Sequence, residues 1–157
     1  MAHGEYGEPS ARVDDQTRHF LERRRVAHLA TADASGAPHV VPICFTLLED
    51  TLYIAIDEKP KSADVRRLRR LRNIAENPRI AIVADVYDDA DWTQLGFVML
   101  RADARVIGPE AAEHAPAVAA LRAKYPQYRA MALDDRPVIA ADVTTVTGWG
   151  RLNSQHT

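Results

Sequence analysis

The chain has 157 residues, 46% hydrophobic and 27% charged, which is enough for one domain burying roughly two thirds of its unfolded surface and too apolar for a disordered chain. Cys44 is the only cysteine, which excludes an internal disulfide and a cysteine-based metal site and suits a reducing compartment. The net charge of −2 gives no overall attraction to nucleic acid, and no apolar run approaches the ~18 residues that span a bilayer, so neither nucleic acid nor membrane is expected as a partner.

Residues 1–13 hold two glycines, a proline and several charges without a period and read as a flexible arm. Their lack of an apolar signal-peptide core gives the expectation of a cytoplasmic protein. Asp14 or Asp15 can cap a helix over about 15–24, with Phe20 and Leu21 as its apolar contacts and Arg23 to Arg25 near its negative end. The period then becomes that of strands. Residues 26–31 precede the turn signal Asp33-Ala34-Ser35-Gly36, and Pro38 to Leu48 reads as one continuous partner strand. Glu49-Asp50 turns the chain into Thr51 to Ile56, in which Leu52, Ile54 and Ile56 alternate with Thr51, Tyr53 and Ala55, so three consecutive antiparallel strands are predicted.

From Ser62 to about Glu76 the spacing is helical, with Val65, Leu68, Leu71 and Ile74 recurring every three or four residues until Pro78 ends the element. Strands are predicted over 79–87 and 96–107 around an acidic loop, then a helix from about 109 to 124. A final strand covers 138–147, followed by Gly148-Trp149-Gly150 and a tail at 152–157. Strands in succession, interrupted by helices, favour a mainly β, α+β architecture: one antiparallel barrel over residues 14–151 with peripheral helices.

The segment 58–72 carries the sharpest chemical signal. Lys59, Lys61, Arg66, Arg67, Arg69, Arg70 and Arg72 stand against only Glu58 and Asp64. On a helix Arg66 and Arg70 lie one turn apart, as do Arg69 and Arg72, while the leucines turn inward. Guanidinium forks of this kind bind phosphate oxygens bidentately, although an arginine-rich helix is also what a solvated face looks like. No Gly-x-Gly-x-x-Gly, Walker, Gly-x-Ser-x-Gly or His-Glu-x-x-His pattern is present, so hydrolytic and metal chemistry have no support and no catalytic side chain is singled out. Cys44, inside an apolar run, reads as inert packing. Trp92 and Trp149 read as ligand-stacking, interface or core residues, with an interface favoured for Trp149.

Gly36-Ala37-Pro38-His39-Val40-Val41-Pro42-Ile43-Cys44-Phe45, the strand Thr51 to Ile56, the basic helix, and Asn77-Pro78-Arg79-Ile80-Ala81-Ile82-Val83 occur in that order. Together they resemble the pyridoxamine 5'-phosphate oxidase-like split-barrel superfamily, most nearly its actinobacterial branch that uses the deazaflavin coenzyme F420. The resemblance covers about residues 14–151 and implies a split β-barrel homodimer. It also implies hydride transfer between the deazaflavin and a small unsaturated or quinone-like substrate. By position it implies a ring lined by Val41, Pro42, Ile43 and Phe45, with Ile56 and Asp57 on the next strand. Arg70, eight residues before Pro78, and Arg69 would hold phosphate, with Lys59, Lys61 and Arg67 as further candidates. The alternatives are an FMN-dependent oxidoreductase of the pyridoxamine 5'-phosphate oxidase type, or a non-catalytic flavin, F420 or haem binder.

Overall fold

Asp14 accepts a hydrogen bond from the Thr17 backbone N–H at 2.8 Å and starts helix α1, Asp15–Arg23, whose buried Thr17, Phe20 and Leu21 face the sheet. The computed structural model describes residues 10–57 and 68–152. Within them, seven strands form a single antiparallel sheet: β1 (Ala27–Ala32), β2 (Pro38–Ile43), β3 (Thr46–Leu48), β4 (Thr51–Ala55), β5 (Arg79–Val86), β6 (Gly96–Ile107) and β7 (Val138–Gly150). Helices α2 (Arg69–Glu76) and α3 (His114–Lys124) complete the frame, with short 3-10 turns at Trp92–Gln94 and Pro126–Ala130.

The sheet order is β2-β1-β5-β6-β7-β4-β3. Its two edge strands, β2 and β3, are separated in sequence only by Cys44 and Phe45. A sheet whose opposite edges are tied by so short a joint must curl, and the result is the split barrel. Two expectations change here. Pro38 to Leu48 is two strands rather than one, because the Phe45 N–H leaves the ladder and donates to the Tyr125 hydroxyl at 3.0 Å. The hairpin of β3 and β4 does not continue the β1–β2 hairpin; β4 pairs instead with β7, Ile54 opposite Ile139. The 3.3–3.6 Å rise of an extended residue leaves no room for a wide gap at this joint.

Alternation along β4 and β7 serves two cores. Leu52, Ile54, Ile139 and Ala141 point into the barrel with Phe20, Leu29, Phe45, Ile82 and Leu100, whereas Tyr53, Ala55, Val138 and Ala140 are buried under α3 by Ala117, Val118 and Leu121. Both faces are covered, so these strands read as continuous apolar runs. The final strand runs on to Gly150 because Phe97 and Trp149 stand opposite one another, rings 5.8 Å apart and stacked. Trp149, expected at an interface, packs on this cross-strand neighbour. Trp92 is 59% exposed. A bulge at Thr144 shifts the β6–β7 register between Arg101 and Ala102, and the Thr144 hydroxyl donates to the Arg101 carbonyl at 3.1 Å. Among the described residues no helix is long and apolar enough to cross a membrane.

Candidate functional site

The split between the edges of the barrel holds a groove of about 420 Å³. One wall is Val41, Pro42 and Ile43 of β2; the opposite wall is Ile54 and Ala55 of β4. Arg70, from the first turn of α2, and Asp57, just past β4, supply its charges, and Tyr128 and Cys44 complete it.

Helix α2 is docked by the buried Asn73, whose side-chain amide donates to the Thr31 hydroxyl at 3.0 Å, and by Glu76, which accepts the Ala34 N–H at 2.9 Å. Leu71 and Ile74 fill the core beneath. With that face fixed, the helical period turns Arg70 toward the groove and Arg72 outward. Arg69 is also exposed and lies toward Asp33, whose carboxyl is held below its usual range chiefly by Ser35 and Ala37, with Arg69 adding a smaller effect.

Of the ring-lining residues expected from sequence, Val41, Pro42, Ile43 and Asp57 line the groove with Arg70. Phe45 and Ile56 do not. Both are in the core, 0% and 1% exposed, because Phe45 continues the inward series of Val41 and Ile43, and Ile56 continues that of Leu52 and Ile54. Arg69 is likewise not in the groove. Lys59, Lys61 and Arg67, with the first half of the predicted helix, lie outside the described residues.

Cys44 and Tyr128, absent from the expected set, line the groove, and Arg25 and Tyr125, also absent, line a cavity that shares Cys44, Asp57 and Tyr128 with it. The half-buried Cys44 packs against the core under α3, as expected, and also lines both this groove and its neighbour. Tyr125-Pro126-Gln127-Tyr128, two aromatics bracketing a proline directly after a helix, is the signal that could have found both tyrosines. The Tyr128 hydroxyl donates to Asp57 Oδ2 at 2.7 Å, and burial, reinforced by that carboxylate, pushes its ionisation far above the ordinary phenol range. Tyr128 therefore remains a protonated donor at any physiological pH. Its backbone is pinned from α3: Arg122 donates to the carbonyls of Tyr128 and Met131 at 3.2 and 3.0 Å and forks onto Asp134 with two 2.9 Å bonds.

Below the groove, Lys124 Nζ lies 3.8 Å from the centre of the Phe45 ring and donates to the Leu21 carbonyl at 3.3 Å. Burial, with help from the nearby Arg25 charge, lowers its pKa to about 8. Burial raises Tyr125 to about 12. Among the described residues no three His, Cys, Asp or Glu side chains gather as a metal-ligand set.

The donor set fits a flavin-type ligand. Apolar walls on both sides of a narrow groove suit a planar ring, a guanidinium at its margin suits a phosphate, and a fixed carboxylate accepts from ring N–H or ribityl hydroxyl groups.

Fold and groove define a split-barrel protein with a candidate ligand groove between its edge hairpins. The chain belongs to the pyridoxamine 5'-phosphate oxidase family, whose model matches residues 13–150. Membership supports an oxidoreductase-like or a flavin- or haem-binding role. It is 31% identical over 97 residues, 62% of this chain, to the 5a,11a-dehydrotetracycline/5a,11a-dehydrooxytetracycline reductase of Streptomyces rimosus, and the match spans 66% of that reductase. Among solved structures it is similar to a haem-binding protein of Mycobacterium smegmatis, with a TM-score of 0.69 and 23% identity over 94% of this chain and 57% of that one. A haem storage protein of Vibrio cholerae matches with a TM-score of 0.65 and 18% identity, covering 88% and 97% of the two chains. A putative pyridoxamine 5'-phosphate oxidase of Lactobacillus delbrueckii gives 0.58 and 20%, covering 87% and 94%. These three likenesses concern the fold.

Proposed function

We propose that this chain is an oxidoreductase that uses coenzyme F420 to reduce a small unsaturated or quinone-like molecule, with FMN as the alternative cofactor. The observation that carries the reading is one groove in which the apolar walls of Val41, Ile43, Ile54 and Ala55 meet the guanidinium of Arg70. Family membership supports a flavin-type ligand, and the Streptomyces relative supports reduction as the direction. The surplus of cations between Lys59 and Arg72 suits F420, whose lactyl phosphate and glutamate tail carry more negative charge than FMN.

When bound, the cofactor supplies a hydride. The chain's own residues bind, orient and exclude water. Arg70 neutralises phosphate, Val41 and Ile43 shield one ring face, and Tyr128 fixes the Asp57 carboxylate so that it accepts from the polar edge. No covalent step by a side chain is required.

The working unit is proposed to be a homodimer. Support comes from β2, a sheet edge with Val40 60% exposed, and from Val26, 49% exposed beside the groove.

Titration of the purified protein with F420, FMN and haemin, followed by fluorescence and absorbance, tests the reading. The expected result is saturable F420 binding, weaker FMN binding, and reoxidation of the bound reduced cofactor by an enone or quinone. Arg70→Ala should weaken F420 by about 10- to 100-fold, roughly 1–3 kcal/mol. Haemin binding with neither F420 nor FMN binding would overturn the proposal.

A further inference from the structure

A second cavity, of about 610 Å³, adjoins the groove. Cys44, Asp57 and Tyr128 line both, so the Tyr128–Asp57 hydrogen bond marks the seam between two lobes of one site. Its other walls come from Arg25, Tyr125, Pro126, Gln127 and Met131. Resting on the cofactor reading above, we infer that this second lobe holds the organic acceptor, and that it selects a planar conjugated ring bearing an acidic enol, phenol or carboxyl group.

Three observations carry this. The walls are aromatic and rigid before any ligand arrives. The rings of Tyr125 and Tyr128 stand 5.5 Å apart, tilted at 59°. The hydroxyl of Tyr125 is held by the backbone of Phe45, and that of Tyr128 by Asp57. Arg122 pins the carbonyls of Tyr128 and Met131. Such a lobe stacks a flat molecule without first having to be ordered.

The lobe carries one charge of each sign. Asp57 is at the seam, where it repels an anion, and the exposed Arg25 is on another wall, its guanidinium 5.9 Å from the Tyr125 ring centre and held by a hydrogen bond that it donates to the Lys124 carbonyl. An acidic ring compound is therefore oriented with its anionic group on Arg25 and its neutral conjugated edge at the seam, facing the first groove. Finally, a volume of about 610 Å³ lies within the range of small-molecule pockets and exceeds that of the groove itself, which leaves room for more than one fused ring.

The test is equilibrium binding of two probes that cannot be reduced, naphthoate and its neutral amide, by titration calorimetry on the full chain. The wild type is expected to prefer naphthoate by about tenfold. Arg25→Gln should erase that preference, bringing naphthoate to the level of naphthamide, and Met131→Trp, which fills the lobe, should abolish both. Arg25 is exposed, so its variant remains informative even if Met131→Trp fails to fold. Equal binding of naphthoate by wild type and Arg25→Gln, or no naphthoate binding at all, would overturn the inference. Titrating F420 and FMN into the same proteins separates the two readings. Cofactor binding with Arg25-insensitive naphthoate binding removes the lobe and leaves the groove standing. Arg25-sensitive naphthoate binding without cofactor binding does the reverse.

Discussion

The Tyr125 hydroxyl accepts from the Phe45 N–H at 3.0 Å and lies 3.0 and 3.1 Å from the carbonyls of Arg25 and Phe45. One phenol thus satisfies a backbone donor where the sheet is interrupted, which is why the interruption is tolerated. Tyr125→Phe keeps the ring and deletes the acceptor; it should destabilise the fold by about 1–3 kcal/mol, read by denaturant unfolding. Lys124 gives a pH signature. Its pKa is about 8 in the fold against an ordinary 10.5, so between these values the unfolded chain binds more protons and stability rises with pH. Above about pH 10 the trend reverses, because Tyr53 and Tyr125, raised to about 12 by burial, stay protonated in the fold while unfolded phenols ionise. Unfolding free energy should therefore peak near pH 10. Lys124→Met should remove the rise between pH 8 and 10, which amounts to at most about 3 kcal/mol.

At the scale of elements, the strand Gly96–Ile107 and the helix Asp15–Arg23 were legible from periodicity and capping, and so was the β1–β2 turn. In that turn Asp33 Oδ1 accepts from the Ser35 and Ala37 backbone N–H groups, and Gly36 has φ +85°. A Cβ at Gly36 would meet nothing within 4 Å, so Gly36→Ala should cost only the left-handed backbone strain, about 1 kcal/mol by thermal or denaturant melting. The interruption after Ile43 was not legible, because its cause is the Tyr125 hydroxyl, 80 residues from Phe45, and the run from Val40 to Phe45 is apolar throughout, its Pro42 marking an edge strand and not a strand end. The same non-locality hid half the site. Val41, Pro42, Ile43, Asp57 and Arg70 could be placed by their order along the chain, whereas Cys44 and Tyr128 join them only through the packing of α3 and the turn that follows it. Phe45 and Ile56, which the resemblance implied by position, lie in the core instead of on the groove wall, because each follows the inward parity of its own strand.

For the whole molecule, the open question of association has a direct test. An edge strand carrying an exposed Val40 beside the groove should be covered by a second copy. Light scattering coupled to gel filtration is expected to give twice the chain mass of 17.4 kDa. Val40→Asp, which places a charge on that edge, should shift the population to monomer and weaken F420 binding with it. A monomeric wild type that binds F420 normally would remove the dimer from the proposal.

The order of the sheet has a consequence for how the protein is made. The hairpin Thr46–Ala55 joins the rest of the sheet through Val138–Gly150, a strand synthesised well after it. A nascent chain halted before that segment has its two early hairpins tethered at Cys44–Phe45 but nothing to bridge their far sides. Val138–Gly150 is the keystone: until it is laid between β6 and β4 the sheet stays in two parts, and a groove walled by β2 and β4 waits on a strand made well after both.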